Sequence, residues 1–444
     1  MMKKMENNQL SHKRIFLFWM PLAATWLMMS AEGPLLAAVI ARLLEPKANL
    51  AAYGVAYAIA LFFEAPVIMM MSAATALIKN KQTFLKLRRF TYGLNLLVTL
   101  AMAIGISPPV FRLLAMDFMG LPPHVAELTH KALIILLPWP AAIGYRRFYQ
   151  GVLIRAHFTR RVAYGTVIRL ATMALVAFGF YFFTEIPGAI TGATALTTAV
   201  CAEALASRLM AQQFVQSLLS EPDSESPGSP ALNFREIAQF YYPLALTSML
   251  GLGVNPIVSF FMGQGRFPIE SLAVLPVVNS LVFVFRSLGL AFQETGIALM
   301  GDHYQGYRML RQFAIALGGS IVALLALIAF TPAAHFWYQT ISGLSPELTE
   351  FALLPTQILA IIPGFTLLLT FQRAVLVTAK HTRPVTFATM VEVTTIILVL
   401  LITTRYFNMI GVTGAAVAYV LGRLFANTLL MLPFNRILAD HLNT

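Results

Sequence analysis

Two pairs of ionisable residues sit in apolar stretches of this chain, and each pair reverses sign when the sequence is slid along itself. A displacement of 222 residues (Pro21 to Pro243) carries Pro21, Leu22, Ala23, Thr25 and Pro34 onto Pro243, Leu244, Ala245, Thr247 and Pro256. It also carries Leu50, Ala51, Val55 and Phe63 onto Leu272, Ala273, Val277 and Phe285, and in that register Glu64 lands on Arg286. One residue later, at 223 (Phe148 to Phe371), Val152, Leu153, Ala156, Thr159, Arg160 and Val162 meet Val375, Leu376, Ala379, Thr382, Arg383 and Val385, and Arg169 meets Glu392. Ionisable side chains inside an apolar segment mark substrate or ion pathways by default. Duplicated halves packed about an axis are a common way to build a central binding site.

The spacing around these charges adds polar partners. Tyr53, Tyr57 and Glu64 fall within about 40° of one another at about 100° per residue, one stripe on one helix face. Asn279, Arg286 and Gln293 recur every seven residues in the matching stretch and form a second stripe. A charge facing lipid at mid-bilayer costs at least about 2.5–3.5 kcal/mol. Both stripes are therefore expected to face the bundle interior. If the pseudo-two-fold axis passes between the second and eighth spans, Glu64 and Arg286 face each other. An anion arriving at Arg286 would then free Glu64 to take a proton. The plainer alternative is an ion pair that only fixes the packing of the halves. Arg169 and Glu392 form a second candidate pair. Glu32, beside Gly33 and Pro34, is a candidate proton or cation site. Pro34 and its repeat Pro256 remove helix hydrogen bonds and are expected to act as hinges. Arg146 and Arg147, after Pro138-Trp139-Pro140, are candidates for an anion entrance or ordinary retained basic residues.

The elements that must position these residues follow from composition. The chain has 444 residues, 58% hydrophobic and 11% charged, against about 25% charged in soluble domains. Most of its surface must face lipid. The net charge of +12 lies in short loops between apolar runs, which fits retention of Lys and Arg in the cytoplasm and excludes nucleic acid as the partner. The single cysteine, Cys201, excludes an internal disulfide and a cysteine metal cluster. Twelve apolar runs are long enough to span about 30 Å of hydrocarbon: 15–41, 50–78, 90–115, 127–153, 162–184, 188–215, 238–261, 270–300, 310–333, 349–376, 385–408 and 411–436. The first is too long for a signal peptide and carries Glu32 and Pro34, so it reads as a retained helix.

The loops rich in Lys and Arg alternate with loops that are poor in them. Lys3, Lys4, Lys13 and Arg14 precede the first span, and Lys79, Lys81, Lys86, Arg88 and Arg89 follow the second. Arg155, Arg160 and Arg161 follow the fourth, Arg308 and Arg311 the eighth, and Arg373, Lys380 and Arg383 the tenth. All fall on one side, which predicts both termini in the cytoplasm. The polar stretch Ser220–Asn233, SEPDSESPGSPALN, marks a linker. The expected organisation is a six-helix bundle over 1–218, a cytoplasmic linker over 219–234 and a second bundle over 235–444. Six spans per half makes the repeats parallel, related by an axis along the membrane normal. The fold class is an all-α polytopic membrane protein.

Two superfamilies share that plan. The loop after the second span reads IKNKQTFLKLRRF, without the glycine-containing signature of major facilitators. The stretches FWMPLAATWLMMSAEGPLLAAVIARL and LAAYGVAYAIALFFEAPV, with FYYPLAL at the start of span seven, resemble the progressive ankylosis family. That family lies in the superfamily of multidrug extruders and lipid-linked oligosaccharide and peptidoglycan-precursor flippases. The resemblance implies a MATE-like fold and export of a small organic anion such as citrate, nucleotide or pyrophosphate. The chain departs from the animal proteins at Glu64 in FFEAPV and in lacking a long charged carboxy-terminal tail.

No G-x-x-x-x-G-K-[ST], H-E-x-x-H or G-x-S-x-G motif occurs, and no two histidines stand at ligand spacing. The sequence therefore predicts no enzyme, no cofactor and no metal. It predicts a monomeric secondary exporter in the bilayer, with H⁺ or Na⁺ as coupling ion. The alternatives are a flippase for a lipid-linked anion, a cation-coupled multidrug exporter and, more distantly, a membrane scaffold without turnover.

Overall fold

A computed structural model describes residues 10–156, 158–220, 233–301, 303–379, 381 and 383–442. Most of the expected linker, 221–232, and Lys3, Lys4, Lys380 and Thr382 lie outside the described residues. Helices make up nearly all of the rest, and an isolated bridge between Arg266 and Ile410 is the one β feature among the described residues.

The first half runs α1 (His12–Ser30), α2 (Glu32–Ile40), α3 (Pro46–Glu64), α4 (Met70–Leu77), α5 (Lys81–Gly105), α6 (Pro108–Arg112), α7 (Pro123–Leu136), α8 (Trp139–Arg155), α9 (Thr159–Phe183) and α10 (Gly188–Ser220). The second runs α11 (Phe234–Leu252), α12 (Val254–Gly263), α13 (Pro268–Leu290), α14 (Phe292–Leu299), α15 (Tyr307–Ala329), α16 (Ala333–His335), α17 (Pro346–Leu359), α18 (Ile362–Thr378), α19 (Arg383–Arg405) and α20 (Gly411–Leu442). Prolines open α3, α7, α13 and α17 at the first turn, where their missing N–H costs nothing. Capping boxes Asn80–Thr83 and Asn233–Glu236 open α5 and α11.

Nine helices, joined across short breaks where needed, are long and apolar enough to cross a membrane among the described residues, and ten if the pair α5/α6, bent by 65°, counts as one. The sequence predicted twelve. The difference falls on 50–78 and 127–153, the pairs α3/α4 and α7/α8. Each is interrupted and charged, by Glu64 in the first and by Arg146 and Arg147 in the second, so neither presents one long apolar run.

The breaks follow the prolines. Pro34 leaves the Ser30 carbonyl without its usual donor, and α1 gives way to α2 at Ala31. Pro256 does the same to Leu252, and α11 gives way to α12 at Gly253; there the Asn255 amide donates to the Leu252 carbonyl at 3.1 Å. Pro66 separates α3 from α4 just after Glu64.

The two halves meet along α3 and α13. The repeat residues Leu50, Ala51, Val55, Leu272, Ala273 and Val277 are buried there. Gly54 lies so close to α13 that a Cβ would stand 2.6 Å from Pro276 Cγ, and one on Gly33 would stand 3.0 Å from Ser280 Cβ. This contact lies towards the end of the molecule away from the basic loops. At that end the halves are also tied by polar bonds. Lys47 pairs with Glu270 at 2.6 Å and Glu347 at 3.5 Å. Arg42 Nη2 donates to the Ile341 carbonyl at 2.9 Å, and Gln264 Nε2 to that of Phe118 at 2.8 Å. The hydrogen bond to Glu270 is the largest influence holding the Lys47 ammonium above the usual lysine range, so this tie stays charged through neutral pH.

At the basic end the halves touch through crossed helices. The start of α1 packs on α13, α14 and α15, with Trp19 Nε1 donating to the Leu288 carbonyl at 3.2 Å. The start of α11 packs on α3 and α5, with the Tyr241 hydroxyl donating to the Pro66 carbonyl at 2.6 Å. No comparable packing joins α4 to α14 or α8 to α18. The molecule is sealed at one end and splayed at the other.

Gly54→Ala should lower thermal stability in detergent by about 1–3 kcal/mol, the usual cost of overpacking, because the added methyl meets the Pro276 ring. An unchanged unfolding temperature would show that α3 and α13 are not in contact there.

Candidate functional site

The buried charges gather below the α3–α13 seal, and each half keeps its own set. In the first half Glu203, on the small-residue helix α10, accepts hydrogen bonds from two neighbours and forms an ion pair with a third. Arg146 of α8 donates to its Oε2, Gln150 Nε2 donates to its Oε1 at 3.1 Å, and Arg169 Nε of α9 lies 3.4 Å from its Oε2. Arg169 also pairs with Glu32 of α2. Glu64 ends α3 beside this cluster, within the field of Arg146, Arg147 and Arg169, yet makes no ion pair or hydrogen bond among the described residues. The one hydrogen bond of Arg147 among the described residues goes to Met71 Sδ, at 3.8 Å. Three carboxylates against three guanidiniums leave this cluster neutral.

The second half is not neutral. Glu392 of α19 pairs with Arg423 of α20 at 2.8 Å. Arg286 of α13 and Arg373 of α18 stand in the field of Arg423 and Glu392. Arg373 Nη2 donates to Thr389 Oγ1 at 3.3 Å; Arg286 has no partner among the described residues, and its Nε is buried and unsatisfied. Three guanidiniums against one carboxylate leave a surplus of two positive charges. Asn279 lies beside Tyr419 on the same side of this cluster.

Two sequence expectations are corrected by this arrangement. Glu64 and Arg286 do not pair. Gly54 and Pro276 do meet across the axis, but ten further residues turn each helix about 80° short of three full turns. That rotation carries Glu64 and Arg286 off the touching face and into their own halves. Arg169 and Glu392 do not pair either. Arg169 is neutralised from α10 and α2, and Glu392 from α20. The sign reversal between repeats is thus answered locally, by an α9–α10 pair in one half and an α19–α20 pair of opposite polarity in the other.

The remaining candidates divide. Tyr57 is 36% exposed and packs on Tyr53 and Trp139 at centroid distances of 6.0 and 5.9 Å, while Tyr53 is buried against α10 at Gly192. Tyr53 is therefore core rather than cavity wall. Arg146, buried and paired with Glu203, does not line an entrance. Gln293 lies beyond the turn at Ala291, on α14, and no hydrogen bond among the described residues joins it to the charged wall. Glu32 is tied to Arg169. Pro34 and Pro256 sit at helix breaks, as their chemistry required.

Three central residues lacked a role in the sequence reading: Glu203, Arg373 and Arg423. A signal existed for one of them. Arg373 is the 223-residue repeat of Gln150 (150 to 373), which touches Glu203.

Neither a protein-family model nor a curated protein sequence matches this chain. Solved structures do. An inward-facing multidrug-resistance MATE transporter of the MOP superfamily superposes with a TM-score of 0.75 over 96% of this chain and 99% of its own, at 14% identity. The lipid II flippase MurJ in an inward closed conformation gives 0.66 over 96% and 91%, at 13% identity. A MOP-superfamily transporter from Pyrococcus furiosus, described as having a binding pocket of reversed polarity, gives 0.59 over 97% of each chain, at 14% identity. The chain has the MATE-like fold that these transporters share. At these identities the likeness is one of fold.

Local pairing has a measurable signature. Glu392→Gln and Arg423→Gln should show a coupling of about 0.5–3 kcal/mol in a double-mutant cycle, whereas Arg169→Gln and Glu392→Gln should add. Glu203→Gln alone should cost about 3–5 kcal/mol, because it strands buried arginines. Additive unfolding energies for Glu392 and Arg423 would rule out their pair.

Proposed function

We propose that this chain is a secondary active exporter of a small anionic substrate, working by alternating access, with Arg286 and Arg373 as the anion-binding groups. The surplus positive charge on the second-half wall carries this reading. Buried guanidiniums without a carboxylate partner are costly, and a bound carboxylate or phosphate supplies the missing charge with the bidentate geometry that arginine favours. The resemblance to the progressive ankylosis family points to the same substrate class: citrate, nucleotide or pyrophosphate. Glu64, unpartnered and next to Arg147, is the group to exchange a proton as the bundles rock about Pro34 and Pro256. Glu32 has a weaker claim because Arg169 already holds it. The chain works as a monomer in the bilayer, with the basic loops and both termini in the cytoplasm and six-helix bundles over 1–218 and 235–444 as the rocking bodies. The sealed end then faces outward and the splayed end inward.

A flippase for a lipid-linked anion shares the fold and the basic wall. It needs a lateral opening between the first and eighth spans, and here α1 packs on both α13 and α14, which favours the soluble anion. A cation-coupled multidrug exporter would meet two uncompensated positive charges. A scaffold without turnover has no use for an unpartnered Glu64 and Arg286.

Arg286→Gln and Arg373→Gln should each abolish uptake of the transported anion into proteoliposomes while leaving the protein folded, and Arg286→Lys should retain part of it. Screening citrate, pyrophosphate and a nucleotide on the wild type identifies the anion. Wild-type uptake by a folded Arg286→Gln, Arg373→Gln double variant would remove these residues from the site.

Topology has its own test. Glu347, which is well exposed, is a suitable reporter for the sealed end. In a Cys201→Ser background, cysteines at Ser220 and Glu347 should label from the inside and the outside of intact cells respectively. Labelling of both from one side would overturn the orientation.

A further inference from the structure

A groove of about 620 Å³ lies on the second half, away from the charged walls, between α15, α18 and α20. Its sides are apolar, and glycines thin them: Gly318 and Gly319 on α15 and Gly364 on α18. A Cβ on Gly319 would meet nothing within 4 Å. Ile315, Ile361 and Met431 on its rim are exposed, so it opens on the outer surface of the bundle, where lipid lies. The groove has a direction. Tyr307, Arg311 and Asn435 line the end near the basic loops, and Val322 and Ile361 line the deep end. Eleven residues separate Arg311 from Val322, about 16 Å of helix, close to half of a hydrocarbon core of about 30 Å.

Arg311 makes no ion pair or hydrogen bond among the described residues, and no carboxylate lines the groove. The first half repeats the cation but not the thinned wall: in the 222 register Arg311 falls on Arg89 (311 − 222 = 89). In any register from 222 to 224 the glycine pair falls within Leu94–Leu97 of α5 (318 − 224 = 94 and 319 − 222 = 97), a stretch with no glycine. A second copy of the chain would leave Arg311 buried and unpaired, whereas a phosphate at the membrane surface neutralises it.

From this we infer a lipid site: one acyl chain of an anionic phospholipid lies in the groove, and its headgroup phosphate sits on Arg311 with Tyr307 and Asn435 as hydrogen-bonding neighbours. The leaflet is the one that meets the basic loops, where basic pockets between helices attract anionic headgroups.

The test uses the full chain in dodecyl maltoside, with phosphatidylglycerol and phosphatidylcholine of identical acyl chains. Lipid adducts are read by native mass spectrometry, and unfolding temperature is read in parallel. The wild type should retain phosphatidylglycerol about fivefold better than phosphatidylcholine and gain more thermal stability from it. Arg311→Gln should erase the preference between headgroups. Gly319→Leu, which has room to fold, should fill the groove and lose both lipids while Arg311 is unchanged. Equal retention of the two lipids by the wild type overturns the proposal. So does a folded Gly319→Leu that keeps its adduct, or a dimer that persists in excess phosphatidylglycerol and is broken by Gly319→Leu.

Discussion

A charge placed in hydrocarbon must find its counter-charge nearby or stay in contact with water, and the arrangement of this protein's interior follows from that constraint. Glu203 shows it most plainly. One carboxylate on α10 draws in Arg146 and Gln150 from α8 and Arg169 from α9, and through Arg169 it reaches Glu32 on α2. Four helices of the first half are thereby fixed around a single buried acid. The helix that carries it is rich in small residues, Ala199, Ala204 and Ser207 among those buried, and such residues let neighbouring helices approach closely enough for short ion pairs.

The second half solves the same problem with fewer acids. Its one buried ion pair among the described residues, Glu392–Arg423, engages one guanidinium and leaves Arg286 and Arg373 in the field of that pair without a carboxylate of their own. The two halves share backbone plan and differ in charge economy: one is closed upon itself, the other is short of two negative charges. That asymmetry, rather than the fold, carries the proposed anion site, because a fold of this kind hosts several transport chemistries.

The ties between the halves are concentrated at the far end. Gly54, Gly33 and the polar ties of Lys47, Arg42 and Gln264 hold α3 and α13 together near one surface. Towards the basic end the crossed helices α1 and α11 keep contact, while α4, α8, α14 and α18 do not close the gap. The proline breaks at Ala31 and Gly253 lie between these two regimes, where the proposed rocking would bend α1/α2 and α11/α12.

The sequence by itself determined the class, the repeat and the positions of the charges. Composition requires lipid contact, the 222-residue register aligns Pro34 with Pro256, and Glu64, Arg169, Arg286 and Glu392 stand out because ionisable groups are rare in apolar runs. Those readings depend only on what each residue is and on its distance along the chain. Partner choice was beyond it. The repeat suggested that equivalent residues of opposite sign face one another, and near the axis Gly54 and Pro276 do meet. Ten residues of helical rotation then separate Glu64 from Arg286, and the lateral contacts of α9 with α10 and of α19 with α20 supply nearer counter-charges. Which faces of two helices touch is set by packing among several elements at once, so the tertiary structure alone decided which arginines meet a carboxylate and which do not.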